Sequence, residues 1–226
     1  MEEYYDCHMH EVNNEMGGLL IALDGKRGTA GGYGNNEVLK IASRKENVIP
    51  VQYVDWKFCQ TETDIVKYHP RRENYTPMEV IDDIRKRKPQ IVIIDTLNQP
   101  DWQPKDYWII AKEFSDIRFL FSHTGGYDML AFINIITYQK NVWYDFSFSQ
   151  HVFGACGENT PLKPIIELME YCLKNEKINS RVLFGTDNMR GEPDLACESL
   201  KYYRKYDCYN RMIKDNYFEF ISKREK

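Results

Sequence analysis

The 226-residue chain lacks the features of several protein classes. No apolar run reaches the roughly 18 residues that a membrane-spanning helix needs. Basic residues are not in excess, since 30 Lys and Arg stand against 34 Asp and Glu, whereas nucleic-acid-binding domains usually carry a basic excess. The six cysteines include no CxxC pair, which argues against a zinc ribbon or a thioredoxin-type redox site. We therefore expect neither a membrane nor a nucleic-acid partner.

The chain also lacks a recognisable export signal. Residues 1–6 read Met-Glu-Glu-Tyr-Tyr-Asp and are acidic, whereas a signal peptide begins with basic residues followed by an apolar stretch. Scattered cysteines without such a signal are typical of a reducing compartment, where thiols stay free. We therefore expect a cytoplasmic protein.

Apolar and aromatic residues, by contrast, are plentiful. The hydrophobic fraction is 42%, and the chain has 16 Tyr, 11 Phe and 4 Trp. A chain of this size and composition can bury a large core, which excludes global disorder. We expect one domain over residues 1–226.

Strand-like runs that are apolar throughout alternate with helix-like segments. Eight strands are predicted to begin near residues 4, 19, 48, 65, 91, 117, 142 and 182. Continuously apolar strands are typical of a parallel sheet covered by helices, and eight such units predict an α/β fold, the (β/α)8 TIM barrel. A doubly wound open sheet is the alternative, but it normally places a glycine-rich turn after its first strand. Here the glycine-rich stretch, residues 24–34, follows the second strand.

The chain is short for such a barrel. Eight units share 226 residues, whereas the fold typically takes about 250. The gaps between strands one and two and between strands three and four are too short for a crossover helix, which needs about a dozen residues. We expect a distorted, trimmed barrel that lacks helices early in the chain. A C-terminal helix near residues 209–221 should pack on its outside, and residues 24–34 should form a lid.

Polar residues fall at the carboxyl ends of the predicted strands, where barrel enzymes place their catalytic groups. His8 and His10 end strand one, and residues two apart on a strand point the same way, so both can bind one metal ion. Asp187 follows strand eight, which neighbours strand one in a closed barrel. The same rim holds Lys67, His69, Asp95, His123 and Asp145.

Each of these residues also has an ordinary structural explanation. An isolated HxH arises by chance, a lone His at a strand end is commonly a hydrogen-bonded structural residue, and an Asp after a strand commonly caps the next helix. The functional interpretation depends on all of them falling on one rim.

Five segments carry a family resemblance. They are Asp6-Cys-His-Met-His10, Val66-Lys-Tyr-His-Pro70, Phe119-Leu-Phe-Ser-His-Thr-Gly-Gly126, Asn141-Val-Trp-Tyr-Asp-Phe-Ser147 and Val182-Leu-Phe-Gly-Thr-Asp187. Their order and spacing, from residue 4 to about residue 200, resemble the amidohydrolase superfamily. The branch that they resemble most includes aminocarboxymuconate-semialdehyde decarboxylase.

The resemblance implies a TIM barrel that holds one divalent metal ion, often zinc. His8 and His10 would be metal ligands, and Asp187 would be a ligand or the general base. His123 would orient the water or polarise the substrate. The family usually has a metal-binding His at the end of strand five, where this chain has Asp95. An Asp ligand would shift the preference toward harder ions such as Mn²⁺, so Asp95 marks either a fourth ligand or a weakened or lost site.

Three functional hypotheses follow. The first is a metal-dependent hydrolase, in which an activated water cleaves an amide, ester or related bond of a small molecule. Lys67, His69 and Arg71, in or after strand four, would hold an anionic group of that substrate; the alternative is a solvated basic loop. The second is a decarboxylase on the same scaffold, and the third is a non-catalytic barrel that binds a ligand without metal. A homodimer is left open.

Overall fold

The computed structural model describes residues 3–12, 17–23, 32–97, 100–147, 163–189 and 196–222. In it, eight parallel strands form one sheet in the order of the chain. Each strand begins within two residues of its predicted position, and the predicted (β/α)8 barrel is confirmed. The strands are β1 (Tyr5–Met9), β2 (Gly17–Ile21), β3 (Val48–Tyr53), β4 (Ile65–Tyr68), β5 (Ile91–Asp95), β6 (Arg118–Ser122), β7 (Val142–Asp145) and β8 (Val182–Leu183).

The sheet closes through backbone hydrogen bonds between β1 and the segment that begins at the end of β8. Cys7 N donates to Phe184 O at 2.8 Å, and Asp187 N donates to His8 O at 2.7 Å. One residue further along, His10 N donates to Asn188 O at 2.9 Å. Closure therefore brings together two parts of the chain that are almost 180 residues apart, as the sequence predicts.

Helices alternate with most of the strands. Those in the described ranges are α1 (Asn35–Ala42), α2 (Pro70–Glu73), α3 (Pro77–Arg87), α4 (Pro104–Glu113), α5 (Met129–Tyr138), α6 (Lys163–Lys174), α7 (Glu176–Asn179), α8 (Ala196–Tyr203) and α9 (Asn216–Ile221). A 3₁₀ turn, His123–Asp128, precedes α5, and a π turn, Arg211–Asp215, precedes α9. No helix in the described part of the chain is long and apolar enough to cross a bilayer.

Helix α3 shows how local sequence sets the boundaries. Thr76 Oγ1 accepts from Glu79 N at 3.3 Å, and the Glu79 carboxylate accepts from Thr76 N at 2.7 Å, which forms a capping box. Pro77 occupies the first turn, and three basic residues fill the last turn, where they complement the helix dipole.

The trimming that the length predicts is present. Among the described residues, no helix lies between β1 and β2, and residues 54–64, between β3 and β4, form only turns and irregular backbone. Most of the predicted lid, residues 24–31, lies outside the described residues.

Apolar side chains pack on both faces of the barrel wall. Along β5, Ile91 and Ile93 belong to a cluster that fills the barrel, whereas Val92 and Ile94 belong to a larger cluster shared with the helices. This alternation follows from the two-residue period of a strand. Because both faces are buried, β5 is apolar up to Asp95 at its carboxyl end.

Helix α9 closes the amino-terminal end of the barrel. The prediction that this C-terminal helix packs on the outside of the barrel is therefore wrong. Tyr217 and Phe220 join the cluster inside the barrel. Tyr217 stacks on Tyr5 with ring centroids 4.9 Å apart, and Phe220 contacts the Trp143 ring at 5.4 Å. Arg118, the first residue of β6, donates to Phe220 O at 2.8 Å. The pattern of α9 indicates an apolar face but does not identify the surface that receives it.

We expect Phe220→Ala to lower the free energy of unfolding by about 3–5 kcal/mol, because it leaves a cavity in a packed core. Phe218→Ala, on the same helix, is the control: Phe218 is 42% exposed, and its loss should cost less than about 1.5 kcal/mol. Chemical denaturation measures both. Equal losses would contradict the assignment of α9 to the barrel end.

Candidate metal centre

A cavity of about 100 Å³ opens at the carboxyl ends of the strands. Its wall includes seven of the predicted site residues: His10, Lys67, His69, Arg71, Asp95, His123 and Asp187. Another, His8, is completely buried and contacts Lys67 and Asp187. The residues that the sequence places on one rim therefore lie close together.

His8, His10 and Asp187 converge at one point of this site. Asp187 Oδ1 lies 3.3 Å from His8 Nε2 and 3.2 Å from His10 Nε2. Each residue offers one ligand atom, and these atoms lie within 4.8 Å of one another. Both histidines are buried, while the Asp187 side chain is 21% exposed. Two imidazole nitrogens and one carboxylate oxygen at this spacing suit a tetrahedral metal ion with an open position.

Two features at the barrel closure position these ligands. The Asp6 carboxylate accepts hydrogen bonds from His8 N at 2.8 Å and from Thr186 N at 3.2 Å, which joins β1 to the segment after β8. Burial raises the pKa of Asp6 to about 7, although these bonds oppose the shift. Gly185 permits the close approach, since a Cβ there would lie 3.1 Å from the Cβ of His8. Asp187 itself adopts the left-handed conformation, with φ 59°.

Hydrogen bonds fix the tautomers of the two histidines. His10 Nδ1 lies 2.8 Å from the Ile21 carbonyl oxygen, so it carries the hydrogen and Nε2 presents its lone pair. His8 Nδ1 lies 2.9 Å from Ser147 Oγ and 3.4 Å from Asp145 Oδ2. Burial lowers the pKa of both rings, that of His8 to about 4. At neutral pH both are neutral, which is the form that binds metal.

The two carboxylates beside these histidines are ionised. Burial disfavours the charge on Asp187, but the positive charges of His123 and Lys67 favour it, and the pKa of Asp187 lies well below its usual range. Burial likewise opposes the charge on Asp145, and the hydrogen bond with His8 outweighs it, so that the pKa falls to about 2.

Asp95 is held by two other histidines. Its Oδ2 lies 3.3 Å from His69 Nε2 and 3.3 Å from His123 Nε2, and its Oδ1 accepts from Leu97 N at 3.1 Å. Among the described residues, Asp95 belongs to neither of the groups that could hold a metal ion. The structure thus brings His8, His10 and Asp187 together and places Asp95 between His69 and His123.

His69 and His123 differ in charge although they share one carboxylate. His123 Nδ1 lies 2.9 Å from Ser147 O, so that nitrogen carries a hydrogen and Nε2 carries a second one toward Asp95. Burial disfavours this charge, but the hydrogen bond to Asp95 outweighs it and raises the pKa of His123 to about 9. Burial lowers the pKa of His69 to about 3, so its ring is neutral.

Sequence reasoning did not single out Ser147, which links two of the site histidines. Its hydroxyl lies 2.9 Å from His8 Nδ1 and 3.2 Å from His123 Nδ1. Asp145 accepts from Ser147 N at 2.9 Å and from His123 N at 3.1 Å. The signal was available, because Ser147 stands two residues after Asp145 at the end of β7. A second group of possible ligands, His8, His123 and Asp145, is thus already engaged in these bonds.

We expect the metal-free protein to lose stability on the alkaline side because of His123. The folded pKa of about 9 exceeds the unfolded value of 6.5, so the stabilisation is fully present below pH 6.5 and is lost as the pH rises through 9. The loss should be about 3 kcal/mol. Denaturation of chelator-treated protein between pH 6 and 10 measures it. His123→Gln should remove most of this loss of stability between pH 6 and 10. The same loss in that variant would show that His123 does not cause it.

Comparison by sequence finds no relative, since no family model and no curated protein matches the chain. Comparison by structure finds several solved barrels. One is an uncharacterized TIM-barrel protein from Bordetella bronchiseptica, with 13% identity and a TM-score of 0.64 over 92% of this chain and 78% of that chain.

Two further structures match nearly end to end. Amidohydrolase 2 from Bifidobacterium longum subsp. infantis has 12% identity and a TM-score of 0.62, over 97% of this chain and 98% of that chain. A probable 2-pyrone-4,6-dicarboxylic acid hydrolase from Acinetobacter baumannii, with citric acid bound, has 11% identity and a TM-score of 0.56, over 97% and 99%. The chain thus has the barrel fold of these solved structures, which is the fold that the resemblance of its motifs implies.

Proposed function

We propose that the chain is a metal-dependent hydrolase of the amidohydrolase superfamily, which cleaves an amide, ester or related bond in a small anionic molecule. The observation that carries the proposal is the convergence of His8 Nε2 and His10 Nε2 on Asp187 Oδ1, at 3.3 and 3.2 Å. The fold shared with an amidohydrolase and a hydrolase supports the same class.

The donor set fits a divalent ion. Both imidazoles are neutral, the carboxylate is ionised, and the Nδ1 atoms are held by Ile21 O and by Ser147 and Asp145. Zinc takes two nitrogens and one oxygen in catalytic sites and leaves a position for water; manganese is the alternative. When bound, such an ion supplies Lewis-acid chemistry that makes a water nucleophilic near neutral pH. We propose these three ligands and assign Asp95 to ordering His69 and His123.

The chain's own groups would then handle the protons and the developing charge. Asp187 is ionised and faces the cavity, so its carboxylate can accept the proton of the attacking water and return it to the leaving group. His123 lines the same cavity as an imidazolium, and its charge can stabilise the oxyanion that forms. Asp95 keeps that ring charged and fixed in direction.

The charge of the cavity wall favours an anionic substrate. Lys67, Arg71 and Arg72 line the cavity together with Asp95 and Asp187. Arg71 is exposed on this wall, where a guanidinium can hold a carboxylate through two parallel hydrogen bonds. His69 lies beside it, and a cavity of about 100 Å³ admits only a small molecule.

We also propose a cytoplasmic location. The five cysteines in the described ranges are all free thiols, which suits a reducing compartment. A homodimer stays a prediction, to be checked by the mass of the protein in solution.

We expect His8→Ala and Asp187→Ala each to lower the zinc content from one equivalent to less than about 0.1, because each removes one of three ligands. Turnover of carboxylate-bearing amides, esters and lactones should be lost with it. Elemental analysis after reconstitution and dialysis measures the metal. The control is Asp116→Ala, because Asp116 is an exposed aspartate. This variant should keep the zinc content and the turnover of the wild type. Full zinc content in the two ligand variants would refute the site.

A further inference from the structure

Lys67 engages the nitrogen of His8 that a metal ion would need. Its Nζ lies 2.8 Å from His8 Nε2, and the residue is 1% exposed. A lysine ammonium can only donate, so His8 Nε2 accepts and Nδ1, beside Ser147 Oγ, carries the hydrogen. The tautomer that accepts from Lys67 is therefore the one that binds metal.

The surroundings of Lys67 are those of a bound cation. Burial lowers the pKa of Lys67 and Arg72 acts in the same direction, whereas the carboxylates of Asp95, Asp187 and Asp145 favour its ammonium form. Buried carboxylates need a compensating positive charge. In the metal-free protein, Lys67 supplies part of that charge when it is protonated.

The two cations exclude each other at His8. A zinc–imidazole bond is about 2.0–2.1 Å long and uses the nitrogen lone pair, which the Lys67 ammonium already occupies. We propose that Lys67 is a built-in competitor for the metal: its ammonium fills the site in the metal-free protein and leaves His8 when a metal ion binds. This inference rests on the metal site proposed above.

Two consequences follow from this exchange. The displaced ammonium stays within reach of Asp95, the carboxylate that attracts it most, so it remains in the cavity wall that faces the substrate. Only an ion with a strong preference for imidazole can displace the Lys67 ammonium from His8. The competition therefore selects Zn²⁺ over Mg²⁺.

The test is the zinc affinity of Lys67→Met, a buried lysine replaced by an apolar side chain of similar length. Loss of a charge-assisted competitor should tighten the zinc Kd by about 10- to 100-fold, measured by competition with a fluorescent chelator. Arg71→Met removes a positive charge from the same wall without freeing His8, and its Kd should change by less than about 3-fold. An unchanged or weaker Kd in Lys67→Met would overturn the proposal.

The outcomes separate this inference from the proposed function. If wild type and Lys67→Met bind zinc equally, Lys67 is no competitor and the metal site stands. If neither binds zinc, both proposals fail.

If Lys67→Met does not fold, a measurement on the wild-type protein tests the proposal instead. The Nζ signal of Lys67 in ¹⁵N-lysine NMR spectra should shift when Zn²⁺ is added, while those of exposed lysines such as Lys57 stay in place. A Lys67 signal that does not move would also overturn the proposal.

Discussion

The hydrogen-bonded closure between β1 and the segment after β8 is the contact on which the site depends. Asp187 N donates to His8 O at 2.7 Å, and the buried Asp6 carboxylate accepts from both sides of this junction. Without closure, His8 and His10 would lie at one edge of an open sheet and Asp187 at the opposite edge. The left-handed backbone of Asp187, φ 59°, is held in place by the same bonds. Closing the barrel and bringing the proposed ligands together therefore depend on the same contacts.

Compensation of buried charge shapes the rest of the site. Asp95, Asp145 and Asp187 are all ionised within one group. The imidazolium of His123 and the ammonium of Lys67 lie among them, and His8 and His10 stay neutral because burial lowers their pKa. A divalent ion would complete this arrangement. Asp95 stands where the family that the motifs resemble usually has a metal-binding His. Here its carboxylate keeps His123 charged.

Local sequence predicts much of the fold and part of the site. Strands such as β5 are recognisable because both faces are buried, and the two-residue period places His8 and His10 together. The partners of Lys67 and Asp95 are not recognisable, because His8 is 59 residues from Lys67 and the choice depends on side-chain rotamers across the barrel. The position of α9 is missed for a similar reason. Its apolar face is visible in the sequence, but the open barrel end that receives it exists only after folding.

The most direct test of the account is the position of zinc in crystals of the metal-loaded protein, located by anomalous scattering at the zinc edge. We expect one peak, bonded to His8 Nε2, His10 Nε2 and the Asp187 carboxylate at about 2.0–2.2 Å. Lys67 Nζ should have moved away from His8, and Asp95 should still lie between His69 and His123. No peak at saturating zinc, or a peak bonded to Asp95 in place of Asp187, would contradict the account.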